Sequence, residues 1–159
     1  MRTRRRRGRR GGPGRRDRGQ ISVLILGLFG IVLVLIVGGV DVTAAQIART
    51  RLLDAADASA LDAADALDAA TTYGQGVGPS LAVSSATVQE SAARYLASRD
   101  APSGISAWQT AAGTGTSDGH TAVVVLQGVA DLPLTGRVLA ALGGSVTITV
   151  KASARATLG

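Results

Sequence analysis

His120 follows Asp118 by two residues in the stretch SDGH, and a carboxylate beside an imidazole is a starting point for both general base catalysis and metal binding. It is the chain's one histidine, and there is no cysteine. Zinc would need thiolates or a carboxylate pair next to it, and no serine occupies a G-x-S-x-G elbow that the imidazole would activate. His120 therefore reads as an exposed loop residue. The acids Asp54, Asp57, Asp62, Asp65 and Asp68 form a second cluster, with Leu-Asp-Ala-Ala-Asp at 53–57 and again at 61–65. Calcium takes about six to eight oxygens wrapped around it by a loop, whereas carboxylates on a straight helix radiate outward. A solvated acidic face follows. The glycine-rich stretches GTGTSDG and GQGVG lack the Gly-Lys-Ser/Thr signature and a strand–loop–helix setting, so they are not phosphate cradles. No catalytic, metal or cofactor set emerges, and the chain reads as a non-enzyme.

The remaining functional signals lie in charge and hydropathy. The first 18 residues hold ten arginines against Asp17 alone, a side-chain charge of +9, so the other residues carry −3 of the total +6. The basic charge thus belongs to residues 1–18, read as a disordered cytoplasmic tail, and not to a folded surface that would hold nucleic acid. Such a tail orients a membrane protein and is attracted to anionic lipid headgroups.

Directly after it comes GQISVLILGLFGIVLVLIVGGVD. From Ile21 to Val40 the only polar member is Ser22, and twenty helical residues at about 1.5 Å each cross the roughly 30 Å hydrocarbon core. A cleaved signal peptide has a shorter apolar part, about 7–15 residues, and Val42-Thr43-Ala44 as its cleavage site would follow Asp41. Residues 19–40 therefore read as a transmembrane helix. The positive-inside rule puts the N-terminus in the cytoplasm and the C-terminal domain outside it, a single-pass topology in the lipid bilayer. Gly27, Gly30 and Gly38 fall on one side of the helix, where small residues let a second helix approach, which allows an oligomer through the span.

Past Asp41 no Gly or Pro occurs until Gly74, and Ala and Leu dominate. One helix of about 50 residues is expected, its extracytoplasmic part a helical stalk over 41–72. Leu52, Leu53, Ala56, Ala60, Ala63, Leu67 and Ala70 share a face opposite the acids. Residues 73–159 are expected to form a small α+β head, beginning with a linker from Tyr73 to Leu81. A second helix follows with Thr87 and Glu90 as a capping box, ended by Pro102 and Gly104. TAVVVLQGV (121–129) reads as a strand covered on both faces. SVTITVKASARATL (145–158) alternates as a half-buried strand. Between them lies a short helix from Gly136 to Leu142, stopped by Gly143-Gly144. Trp108 is expected to anchor the core. The fold class is thus α+β, one transmembrane helix continuing into a long helix, with a small antiparallel sheet resting on its upper part.

The segment RRDRGQISVLILGLFGIVLVLIVGGVDVTAAQIARTRLLDAADASALDAAD, Arg15 to Asp65, resembles the N-terminal region of Tad (Flp) pilus-assembly proteins of the TadE/TadG type. The shared features are a basic-Gly-Gln start, an apolar span, an Asp soon after it, and Arg51-Leu-x-x-Ala-Ala-Asp-Ala-x-Ala-Leu61. The resemblance implies a pilin-like structural component of a Tad pilus or secretion apparatus, with other pilin-like or Tad components as partners. It also implies a processing site at Gly19 and Gln20. Processed prepilins carry Glu at the fifth mature position, where this chain has Leu24, so an uncleaved TadG-like role fits better. Without that carboxylate nothing would pair with a new amino terminus buried in lipid. A membrane-anchored binding module acting independently of any pilus is the alternative, and a nucleic-acid-binding protein using the arginine tail a third.

Overall fold

The structure is a computed structural model and describes residues 17–73 and 81–155. The expected tail lies outside these residues but for its last two, and so do most of the linker and the residues after Arg155. The elements in order are α1 (Asp17–Tyr73), α2 (Leu81–Ala97), β1 (Ile105–Thr110), β2 (Thr121–Ala130), α3 (Gly136–Ala141) and β3 (Val146–Arg155). The α+β class and the long first helix are as the sequence predicts: α1 runs unbroken for 57 residues.

Residues 38–159 form one compact unit and residues 1–37 another. In the first of these, the Ala/Leu seam of α1 is a wall of the core. Leu52, Ala56, Ala60, Ala63 and Leu67 are buried as expected, and Ala64 joins them. They share a cluster with Val88 and Ala92 of α2, Ala122, Val124 and Leu126 of β2, and Val150 and Ala152 of β3. Asp54, Asp57, Asp62 and Asp65 are exposed on the other side of the helix. Burying the apolar face while solvating the acids is what stabilises the helix here, since an isolated helix gains little by itself.

The sheet is antiparallel in the order β1-β2-β3. β2 and β3 pair along their whole length, Thr121 opposite Arg155 and Ala130 opposite Val146. The alternation read in β3 holds: Val150 and Ala152 are buried, Val146, Ile148 and Ala154 half-buried, and Thr147, Thr149, Lys151, Ser153 and Arg155 exposed. β2 turns Ala122, Val124, Leu126 and Ala130 inward. On its other face only Val125 is buried, under the turn at 111–116, whose Thr114 hydroxyl accepts the Val125 N–H at 3.1 Å. That face is thus covered at one point, not along its length.

Two features depart from the sequence reading. β1 is a strand that the sequence pattern does not announce. Its backbone pairs Trp108 with Gly128 and Gln109 with Gln127, so it is a strand because β2 offers a free edge. The second helix starts at Leu81, which puts Thr87 inside it and not at a cap. Glu90 instead pairs with Arg94 one turn on, at 2.9 Å. Nothing in LAVSSA breaks a helix, and Ser85 is held where it is by exchanging hydrogen bonds with the backbone of Thr116.

Helix and sheet are tightly packed at Gly128. A Cβ there would stand 3.0 Å from Ile105 Cγ2 and 3.2 Å from Leu52 Cδ2. Trp108 is half-buried and packs against both the main cluster and a smaller one of Ala48, Ile105 and Ala130, the anchoring place expected of it.

Candidate membrane and assembly surface

The apolar run forms the N-terminal part of α1, and among the described residues its large side chains from Ile21 to Ile36 are exposed. Leu24 is 72% exposed, Phe29 64% and Leu35 69%. A helix apolar on every side has no face to turn toward water, so it belongs in hydrocarbon. By length and composition this is the one helix among the described residues able to cross a bilayer, and it starts at Ile21. Single-pass anchoring near the N-terminus follows. Gly27 and Gly30, like Gly38 and Gly39, have nothing within 4 Å of where a Cβ would stand, which leaves their side of the helix open. Gly19 and Gln20 lie in the first turns of α1; their side chains are outside the described ones.

At the end of the uncharged run stands Asp41, only 5% exposed. Its Oδ1 accepts the Leu134 N–H at 3.0 Å. Its Oδ2 accepts the Thr135 N–H at 2.9 Å and also the Thr135 hydroxyl. The Thr135 hydroxyl is the chief cause holding this carboxyl below its ordinary range; burial works against it, and the two N–H groups reinforce it. The sequence showed an acid after the span but not its partners, which lie 93 and 94 residues further on. Those partners lead into α3, which closes as foreseen. Gly143, at φ 75°, permits the reversal, with Gly143 N–H donating to Ala140 C=O at 3.0 Å and Gly144 N–H to Leu139 C=O at 2.9 Å.

Two further ties bind α1 to the rest of its unit. Arg51 Nη1 donates to Ser103 C=O at 2.9 Å, and the buried Ser91 of α2 donates its hydroxyl to Asp62 at 2.8 Å. Among the acids of the ladder whose side chains are described, Asp62 is therefore the one tied to another element, a distinction the repeated Leu-Asp-Ala-Ala-Asp hides.

The groups that invited a catalytic reading serve local structure. Asp118 accepts the N–H groups of His120 and Thr121 at 2.9 and 2.7 Å and the Thr121 hydroxyl at 2.7 Å. These bonds, the Thr121 hydroxyl first, push its carboxyl far below the usual range. His120 itself is exposed. No three of His, Asp and Glu come together as a metal site among the described residues. A shallow hollow of about 280 Å³ lies over Trp108, Gln109, Gln127 and Thr147, where the Gln109 amide donates to Gln127 at 3.1 Å. Its lining holds no titratable side chain.

Residues 19–70 match the Tad family model, described as Flp pilus-assembly TadE/G-like. The match covers the apolar run, Asp41 and the Ala seam, and leaves the sheet outside. No curated protein and no solved structure matches the chain. The matched segment supports a pilus-related component.

Proposed function

We propose that the chain is a membrane-anchored, pilin-like structural part of a Tad/Flp-type pilus or secretion apparatus. It acts by helix packing and protein contact, without catalysis. The observation that carries this reading is the match of residues 19–70 to a helix whose large apolar side chains at 21–36 are exposed throughout. In this reading residues 21–40 lie in the bilayer and the arginine-rich tail stays in the cytoplasm, drawn there by the positive-inside preference. The chain from Asp41 onward lies outside the cytoplasm in this reading. The stripe of Gly27, Gly30 and Gly38 receives a neighbouring helix, because backbones approach closely where side chains are small. Gly19–Gln20 stays uncut, since no carboxylate stands at Leu24 to meet a new amino terminus.

The test is deletion of the gene in its own host, scored by pilus assembly and by mass spectrometry of the mature N-terminus. Pili should be lost on deletion, return with the intact chain, and fail to return when Gly27 and Gly30 are both replaced by Leu. Normal pili in the deletion strain would sink the reading and leave a membrane-anchored binding module in its place.

A further inference from the structure

α3 buries none of its residues. Leu134 just before it is 49% exposed, Val138 within it 63%, and Leu142 at its end 80%. Val138 and Leu142, four apart, lie on one side of the short helix and its C-terminal end, with Leu134 in the turn that leads into it, while Leu139 packs onto Gly144, whose Cβ position lies 2.9 Å from Leu139 Cδ1. Three large apolar groups in water over the nine residues 134–142 are an unusual outlay for a small domain.

Their place in the chain's geometry names the occupant. Leu134 and Thr135 are held at 3.0 and 2.9 Å from the carboxylate of Asp41, the first charged residue after the apolar run. The neighbouring apolar surface of α1 continues across that point, with Val40 44% and Val42 62% exposed. Beyond the hydrocarbon the headgroup layer adds roughly 5–7 Å on each side, and the six residues of α3 extend only about 9 Å. A segment pinned to the exit residue of the span is therefore within reach of that layer. Arg137, exposed on the same helix, supplies a cation of the kind that meets lipid phosphates while its stem lies on apolar surface.

We propose that α3 is a second membrane contact: Leu134, Val138 and Leu142 enter the headgroup–acyl boundary of the leaflet from which α1 emerges. This rests on the membrane reading of residues 21–40. Asp41 then does more than close a loop, since its bonds to Leu134 and Thr135 hold the apolar edge at the bilayer surface.

The chain has no cysteine, so single-site labels are specific. The full chain is reconstituted in phosphatidylcholine–phosphatidylglycerol vesicles as Val138→Cys, Leu142→Cys, Ser153→Cys and Leu28→Cys, each carrying an environment-sensitive fluorophore. Quenching is measured with aqueous iodide on both sides of the bilayer and with a nitroxide on the lipid headgroup. Labels at 138 and 142 should be several-fold less accessible to iodide than at 153 and several-fold more quenched by the headgroup nitroxide. Accessibility equal to that at 153 overturns the proposal. So does protection that vanishes on tenfold lipid dilution, which would mean a second copy covers α3. The label at 28 separates the two failures: exposure to iodide there would sink the membrane reading itself, whereas a protected 28 with an exposed 138 sinks only the α3 contact.

Discussion

Leu52 is completely buried and fills the space in front of Gly128, so truncating it gives a sharp test of how the helix and sheet fit. Leu52→Ala removes three carbons, worth roughly 2.4 kcal/mol at about 0.8 kcal/mol per buried methylene. The cavity left behind brings the expected loss to about 3–4 kcal/mol. Gly128→Ala alone should cost about 1 kcal/mol, because its methyl would meet Ile105 Cγ2 at 3.0 Å and Leu52 Cδ2 at 3.2 Å. Once Leu52 is Ala, one of those two obstacles is gone and the new methyl occupies part of the cavity. The double variant should then be more stable than the sum of the single losses implies, by about 1 kcal/mol. The measurement is urea unfolding of the full chain in detergent micelles followed by Trp108 emission, since the one tryptophan packs on both clusters. Losses that add to within about 0.4 kcal/mol would show that Leu52 and Gly128 do not press on each other, and the close-approach argument would fail.

Three further outcomes are expected. Ser59 is fully buried and, among the described residues, its hydroxyl alone has no hydrogen-bond partner while shielded from water; Ser59→Ala should raise stability by about 1 kcal/mol in the same urea assay. Asp41→Asn should lower hydrogen-exchange protection of the Leu134 and Thr135 amides while leaving the β2 amides unchanged. In the wild type that protection, tied to a carboxyl with a lowered pKa, is present above the ordinary carboxylate range and lost as pH falls through the lowered value. A fragment of residues 38–159 should unfold cooperatively with native Trp108 emission, whereas 81–159 should show no transition, because it lacks Ala48, Leu52, Ala56, Ala60, Ala63, Ala64 and Leu67 of the core.

What the sequence disclosed follows the range of the forces involved. The apolar run, the Ala seam and the alternation of β3 are patterns read over neighbouring residues, and local pattern alone identifies them. The glycine stop of α3 is equally local. β1 was invisible for the opposite reason: Ile105 to Thr110 is only six residues long with a bulge between Ile105 and Ala107, and it is extended because the edge of β2 is there to pair with. The start of α2 was misplaced because Thr87 and Glu90 have the spacing of a cap, while the turn that holds Ser85 comes from 31 residues further along. The tie from Asp41 to Thr135 and the contact of Leu52 with Gly128 depend on folding that no local pattern encodes. Gly27, Gly30 and Gly38, by contrast, were named from helical phase, and the structure adds that none of the described residues lies within 4 Å of where their Cβ atoms would stand.

On the proposed membrane reading α1 meets two solvents, and its composition changes at Asp41. Between Ile21 and Val40 the helix needs only to be apolar, since hydrocarbon imposes no preferred face. Beyond Asp41 it must be apolar on one side only, and there the seam is mostly Ala. Alanine buries little area, so a core walled with it holds only if the opposing surface comes close. The sheet answers with small residues of its own, Ala122, Gly128, Ala130 and Ala152. The consequence is that the stabilisation rests on the few large buried side chains, Leu52, Leu126, Val88 and Val124, each intolerant of truncation. Asp41 stands at the change of solvent because a carboxylate is costly inside hydrocarbon. With its oxygens taken up by Leu134 and Thr135, the residue that ends the span also fixes where α3 lies.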